Sequence, residues 1–303
     1  MIESVQIFWA PVGATMPSLG ARALVDLSDG DTPNIRMPIR MLSVDTPEVT
    51  ARSETRATAI DQEFKQLAEW IVERKAPIEP PLAEFLLPRL ETSNAGSLHF
   101  QQGKAASAFA KEHTETRLTR PNGTRRNLFI RTADAPFDNH HRLLAYVAPN
   151  YSSSELAEIP RNERPTFNLD LVSHGWAAPF VIYPSIPGAL DLQLLIEATA
   201  EARTAALGIW ADDLTLLAYE YRMLEKLFRV TRKLVGGETV KPSERYGWRT
   251  RYCVDTRTRA LHGPEDYFGI EPEYRLWIWP EDLNEAMGRL SLTPTPRLVA
   301  ARR

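Results

Sequence analysis

The spacing of apolar residues predicts helices in both halves of the chain. Ile60, Phe64 and Leu67 recur every three or four residues and predict an amphipathic helix over residues 58–75. The four prolines between residues 77 and 88 predict irregular structure after that helix. Helices are also predicted at residues 103–113, 189–207, 217–228 and 281–290.

Alternating apolar residues predict strands between and after these helices. Residues 21–27 predict a first strand, and Asp29-Gly30-Asp31 supplies a turn because glycine tolerates positive φ angles. Residues 34–44 predict a second strand, which Pro47 terminates because proline cannot donate a ladder hydrogen bond. Further strands are predicted at residues 128–131, 143–147, 246–254 and 274–279.

Length and composition describe a globular protein. The chain has 303 residues, of which 43% are hydrophobic and 25% charged, so about two domains are expected. A single cysteine, Cys253, excludes an internal disulfide and a cysteine-rich zinc site. The N-terminal residues lack the pattern of a secretory signal, and the chain lacks an apolar run long enough to span a bilayer. A cytoplasmic protein without membrane contact is therefore expected.

Charge is distributed unevenly and suggests a boundary near residue 213. Residues 1–213 carry 20 Lys and Arg against 27 Asp and Glu, whereas residues 214–303 carry 16 against 12, giving the net charge of −3. We predict a first domain over 1–213, with insertions near 49–102 and 149–166, and a small C-terminal α+β domain over 214–303. A net basic field that attracts nucleic acid is absent, although a local basic site is compatible with these numbers.

Five charged side chains in separate segments have the chemistry that phosphodiester hydrolysis requires. Asp31 and Asp45 offer hard oxygen ligands suited to Ca²⁺ or Mg²⁺. Glu48 follows closely and could orient or deprotonate a water molecule. Arg40 and Arg142 could bind a phosphate and stabilise charge in the transition state. Taken singly, each segment also fits a solvated turn, a surface arginine or a helix cap.

The order of these segments resembles the staphylococcal nuclease (thermonuclease) family over about residues 20–211. Residues 25–32 end in Asp-Gly-Asp-Thr, residues 40–48 end in Val-Asp-Thr-Pro-Glu, and residues 138–146 end in Arg-Leu-Leu-Ala-Tyr. The other matching pieces are residues 103–109, 168–177 and 205–210. Residues 214–303 resemble no family.

The resemblance implies an α+β fold in which a five-stranded OB-type barrel packs against three helices, at 103–115, about 167–174 and 189–207. One detail of the sequence agrees with a barrel. Arg40 and Asp45 have opposite parity and would face opposite sides of a straight strand. For both to reach one phosphate, the chain must bend near Val44, as barrel corners and bulges do.

The resemblance also implies a metal-dependent nuclease that hydrolyses DNA, RNA or both. Asp31, Asp45 and the backbone carbonyl of Thr46 would hold Ca²⁺, with another divalent cation as the alternative. The other implied site residues are Arg40, Glu48 and Arg142 as the catalytic set, Asp29 as a supporting carboxylate beside the substrate, and Tyr183 as a nucleotide contact.

Some positions depart from the family pattern. His140-His141 replaces a Tyr-Gly pair before Arg142, and Val181 replaces a second nucleotide-contacting tyrosine.

Two alternatives to the nuclease stay open. One is a catalytically weak module that binds nucleic acid or protein, and the other is the effector subunit of a larger assembly.

The C-terminal residues 214–303 have no assigned role and could bind a protein partner. Arg245, Arg249 and Arg251 interleave with aromatic residues there. This mixture suits phosphate contact with base stacking. It equally suits a half-buried strand with a charged outer face, which is the interpretation we favour.

Overall fold

Helices and open sheets make up residues 21–49 and 51–301, the part of the chain that the computed structural model describes. Caps mark several helix starts: the Ser53 side chain, for example, accepts the backbone N–H of Arg56 at the start of the first long helix. The helices are α1 (Glu54–Val72), α2 (Pro80–Leu90), α3 (Ala95–Leu118), α4 (Ser153–Glu158), α5 (Phe167–Ser173), α6 (Ala189–Thr204), α7 (Ala218–Val235), α8 (Pro242–Arg245), α9 (Leu283–Leu290) and α10 (Pro296–Ala301).

The strands are β1 (Leu24–Leu27), β2 (Pro33–Ile35), β3 (Ile39–Met41), β4 (Ser43–Asp45), β5 (Leu128–Phe137), β6 (Leu143–Pro149), β7 (Ala178–Ile182), β8 (Tyr252–Asp255), β9 (Ala260–His262), β10 (Arg275–Ile278) and β11 (Thr293–Pro294). Within the described residues they form three open sheets, ordered β1-β2, β3-β6-β5 and β11-β9-β8-β10-β7-β4. The predicted α+β class is confirmed, whereas the closed five-stranded barrel is not.

A sharp bend separates β3 from β4. Ser43 has a φ angle of 61°, which directs the chain out of the β3 sheet after Leu42. On one side of the bend β3 pairs in parallel with β6, and on the other β4 pairs antiparallel with β7. The predicted second strand over 34–44 is therefore divided among β2, β3 and β4, and the bend lies one residue before Val44.

Asn168 of α5 holds this bend in place. Its side-chain oxygen accepts the backbone N–H of Val147 at 3.0 Å, and its side-chain nitrogen donates to the carbonyl of Leu42 at 2.9 Å. Asn168 is 2% exposed, so these bonds satisfy polar groups that water cannot reach. The amide thereby connects the bend to β6.

Residues on both sides of position 213 share one sheet and one core. β10 pairs in parallel with β7, with Leu276 opposite Val181. Phe64 of α1 contacts Tyr221 of α7 with ring centroids 5.4 Å apart. The domain boundary near residue 213 stays a prediction, but helix α7 packs directly on α1 and approaches the end of β4.

The proline-containing segment after α1 is helical, contrary to the irregular structure that its composition predicts. Pro80 and Pro81 occupy the first turn of α2, where a backbone N–H would lack a partner in any case. Pro88 lies near the end of α2, so the hydrogen bond that it removes is close to the terminus. The segment predicted as an insertion over 49–102 thus contributes α1, α2 and the start of α3 to the core.

The strand predicted over residues 246–254 is shorter in the structure. Only its last part forms β8, because Pro242 starts the short helix α8 and residues 246–249 continue as a turn. Trp248 is fully buried within that turn. The second segment predicted as an insertion, over 149–166, contains α4, whose start is capped by Ser152.

Candidate active site

The bend after β3 brings Arg40 onto Asp45. A guanidinium nitrogen of Arg40 lies 3.0 Å from Oδ1 of Asp45. The Asp45 side chain is 2% exposed, whereas that of Arg40 is 28% exposed. The structure therefore places a buried carboxylate behind an arginine that reaches solvent, at the end of strand β4.

A second arginine, Arg222 from helix α7, joins Asp45 to Glu48. Its two terminal nitrogens lie 2.6 Å from Oδ2 of Asp45 and 2.6 Å from Oε1 of Glu48. Burial opposes the charge of Arg222, but Asp45 and Glu48 outweigh it and raise the pKa of the guanidinium. We call Arg40, Asp45, Glu48 and Arg222 the β4 corner.

His99 of α3 positions the backbone of Glu48. Its Nε2 accepts the Glu48 backbone N–H at 2.8 Å, and its ring stacks on Tyr221 with centroids 3.9 Å apart. The imidazole is 2% exposed, and burial lowers its pKa to about 3. A neutral imidazole is required here, because only the unprotonated Nε2 can accept this hydrogen bond.

Gly103, one turn further along α3, allows the helix to approach the same backbone. A Cβ atom at this position would lie 2.9 Å from the carbonyl oxygens of both Pro47 and Glu48. Only glycine avoids that overlap without displacing the backbone. Helix α3 thus fixes the residues after β4 by a hydrogen bond and by close contact.

Arg142 directly precedes β6, the strand that pairs with the strand of Arg40. In the parallel pairing of β3 with β6, Arg40 is opposite Leu144. Arg142 precedes Leu144 by two residues, so the strand alternation assigns Arg142 and Leu144 to the same face of the sheet. Its guanidinium currently binds Asp138, with Nε 2.8 Å from Oδ2. The same Asp138 side chain also accepts the backbone N–H of His140 and shapes the loop.

The other predicted site residues lie apart from these contacts. Asp29 and Asp31 occupy the exposed turn between β1 and β2, where Asp29 accepts the backbone N–H of Asp31. Tyr183 is 5% exposed, and its hydroxyl donates to Glu285 at 2.9 Å. Thr46 is half-buried directly after β4.

The residues of the β4 corner do not fit Ca²⁺ in this arrangement. Asp45 and Glu48 already share the guanidinium of Arg222, a cation that a metal ion would have to displace. Asp31, on its exposed turn, interacts with the neighbouring Thr32. Across residues 21–49 and 51–301, no three His, Cys, Asp or Glu side chains are grouped to hold a metal.

Sequence reasoning missed Arg222, His99 and the role of Gly103. His99 shows no ligand spacing, and Arg222 belongs to a region without family resemblance. Gly103 lies within a matching piece, which could have suggested close packing but not its partner. Each of the three contacts joins residues that are at least 50 positions apart, so local patterns carry no signal for them.

A separate cavity of about 700 Å³ lies between α2, α6 and the start of α7. Two of its charged lining residues, Arg203 and Glu273, form an ion pair at 2.6 Å. None of the residues of the β4 corner lines it.

The described helices include none that is long and apolar enough to cross a membrane.

Comparison with protein families matches residues 86–212 to the family described as staphylococcal nuclease homologue. The matched region contains Gly103 and Arg142, whereas Arg40, Asp45 and Glu48 precede it. The C-terminal region is outside the match. A search of curated proteins finds no match.

Proposed function

We propose that this protein, whose residues 86–212 match the family described as staphylococcal nuclease homologue, binds nucleic acid and hydrolyses its phosphodiester bonds at the β4 corner. The observation that carries the proposal is the meeting of Arg40, Asp45 and Glu48 beside the homologous domain. Acidic and basic groups in contact at one solvent-accessible place are what hydrolysis of a phosphodiester needs.

The roles follow from exposure and position. Glu48 is 29% exposed and orients the attacking water, while Arg40, at 28%, binds the phosphate from the solvent side. Arg142 stabilises the same phosphate from the loop before β6 once it leaves Asp138. Asp45 acts through Arg40, whose guanidinium it orients.

The resemblance further implies Ca²⁺ held by Asp31, Asp45 and Thr46, with substrate contacts from Asp29 and Tyr183. No step of the proposed reaction is assigned to a metal, because Arg222 occupies the carboxylates of the β4 corner. Comparison of hydrolysis in Ca²⁺ with hydrolysis in excess chelator tests metal dependence.

The second candidate is a nucleic-acid-binding module without hydrolytic activity. One observation favours it: Arg222 neutralises both carboxylates of the β4 corner and so leaves them poorly placed for catalysis. In that case the arginines would hold phosphate groups and the carboxylates would orient the arginines.

The test incubates the full-length protein with labelled single-stranded DNA, duplex DNA and RNA, in Ca²⁺ and in excess chelator. We expect hydrolysis that falls by about 10²–10³ in Arg40→Ala and Glu48→Gln, as for loss of a transition-state contact. The matched controls are Arg125→Ala and Glu115→Gln, which remove an exposed ion pair of the same type. Binding measured by fluorescence anisotropy without any cleavage would favour the binding module, and failure to bind or cleave would refute both candidates.

A further inference from the structure

Two arginines of the C-terminal region approach one aromatic ring beside the β4 corner. The guanidinium carbon of Arg222 lies 6.0 Å from the centroid of the Phe180 ring on β7, and that of Arg251 lies 4.9 Å from it. Arg251 also lies 5.3 Å from the ring centroid of Trp279. Aromatic faces attract a guanidinium and hold its plane, which leaves the terminal N–H groups of Arg251 for a ligand, whereas those of Arg222 bind Asp45 and Glu48.

Arg251 lacks an anionic partner, unlike Arg222. Among residues 21–49 and 51–301 it forms no ion pair with a carboxylate, and its buried Nε has no hydrogen-bond acceptor. Burial, followed by the like charge of Arg222, lowers the pKa of Arg251 to about 10. The side chain is thus a charged donor at neutral pH that needs an acceptor.

Lys226 adds a further positive charge to the same place. It lies one helical turn after Arg222 on α7, where side chains four residues apart are neighbours. Desolvation and the nearby guanidiniums of Arg251 and Arg222 lower the pKa of its ammonium. Glu225, its neighbour in the sequence, is half-buried, and burial raises the pKa of that carboxyl group.

We propose that Arg251 and Lys226, beside Arg222, form a phosphate-binding site that extends the β4 corner and holds the backbone of a bound nucleic-acid strand. The inference rests on the proposed function, because a strand whose phosphate contacts Arg40 must continue past the β4 corner. A phosphodiester supplies the acceptor oxygens that Arg251 lacks, and a guanidinium binds two of them at once. Trp279 beside Arg251 offers a surface on which a base can stack.

The test measures binding of a labelled single-stranded oligonucleotide by anisotropy over a range of salt concentrations, in chelator. We expect Lys226→Met and Arg251→Met each to weaken binding about tenfold, the effect of losing one hydrogen bond to a charged group. Each should also lower the slope of log affinity against log salt by about 0.7, the value for one phosphate contact on a single strand. Arg232→Met is the matched control, because it removes an exposed charge from the same helix α7.

Several outcomes separate this inference from the proposed function. Unchanged affinity and salt slope in folded Lys226→Met would overturn the site even if hydrolysis is observed. Weaker binding in both variants without any hydrolysis would support the site while refuting the nuclease. Thermal melting checks that Arg251→Met folds, and Lys226 is exposed, so its variant is informative in either case.

Inorganic phosphate distinguishes the source of the ligand. If phosphate binds the wild-type protein and loses affinity in the two variants, but oligonucleotide binding stays unchanged, the site holds a free anion and the inference is wrong. If excess phosphate competes with the oligonucleotide in the wild type only, the nucleic-acid backbone is the ligand.

Discussion

Replacement of His99 by glutamine should change how stability depends on pH. Glutamine can place its side-chain oxygen near the position of Nε2 and accept the Glu48 backbone N–H, but it does not titrate. In the wild type, burial lowers the pKa of His99 from its ordinary 6.5 to about 3. Between these values the unfolded chain binds a proton that the native protein does not, so the free energy of unfolding falls as pH falls.

The magnitude follows from the two pKa values. Each pH unit between them costs at most about 1.4 kcal/mol for one group. From pH 6 to pH 4 the wild type should therefore lose about 2.5 kcal/mol more stability than His99→Gln. At pH 7 the variant should be the less stable protein, because it loses the stacking of the ring on Tyr221.

Urea unfolding at pH 7, 6, 5 and 4 measures this difference directly. Other titrating groups contribute equally to both proteins, so subtraction isolates His99. His140→Gln, at an exposed histidine, is the matched control. A difference in unfolding free energy between His99→Gln and the wild type that stays constant from pH 7 to pH 4 would refute the reasoning.

Three further changes test other contacts. Gly103→Ala should lower hydrolysis and the melting temperature together, because its methyl group displaces the Glu48 backbone; wild-type values of both would contradict the close approach. Burial raises the pKa of Glu265, the partner of Arg249, to about 7, so the stability of the protein should fall as pH rises from about 4.5 to 7. Thermal melts should show that Glu265→Gln flattens this decline. Arg222→Ala should strengthen Ca²⁺ binding in isothermal titration calorimetry, because it frees two carboxylates; equal affinity in both proteins would contradict the competition.

The β4 corner joins residues from the predicted insertion and from the C-terminal region. α3, whose start lies in the predicted insertion, supplies His99 to the Glu48 backbone, and α7 supplies Arg222 to the carboxylates. Both helices also pack on α1. The same elements that complete the core thereby determine which charges meet at the end of β4.

The sequence was sufficient for the features that depend on local interactions. Apolar spacing located α1, α6 and the start of α7 within a few residues, and the opposite parity of Arg40 and Asp45 predicted the bend that the structure places at Ser43. These succeed because helix periodicity, strand alternation and turn residues act between neighbours in the chain. Local patterns failed at the prolines that begin α2, where position within the helix matters, and at residues 246–249, which form a turn in place of the predicted strand.

The partners of the charged residues could not be predicted in this way. Arg222 and Asp45 are 177 positions apart, and nothing in the spacing of α7 distinguishes Arg222 from Arg229 on the same helix. Their contact exists because β7 pairs with both β4 and β10, which brings the C-terminal region against the bend. The residue type determines the charge of a side chain, but its partner depends on which surfaces the folded chain buries together.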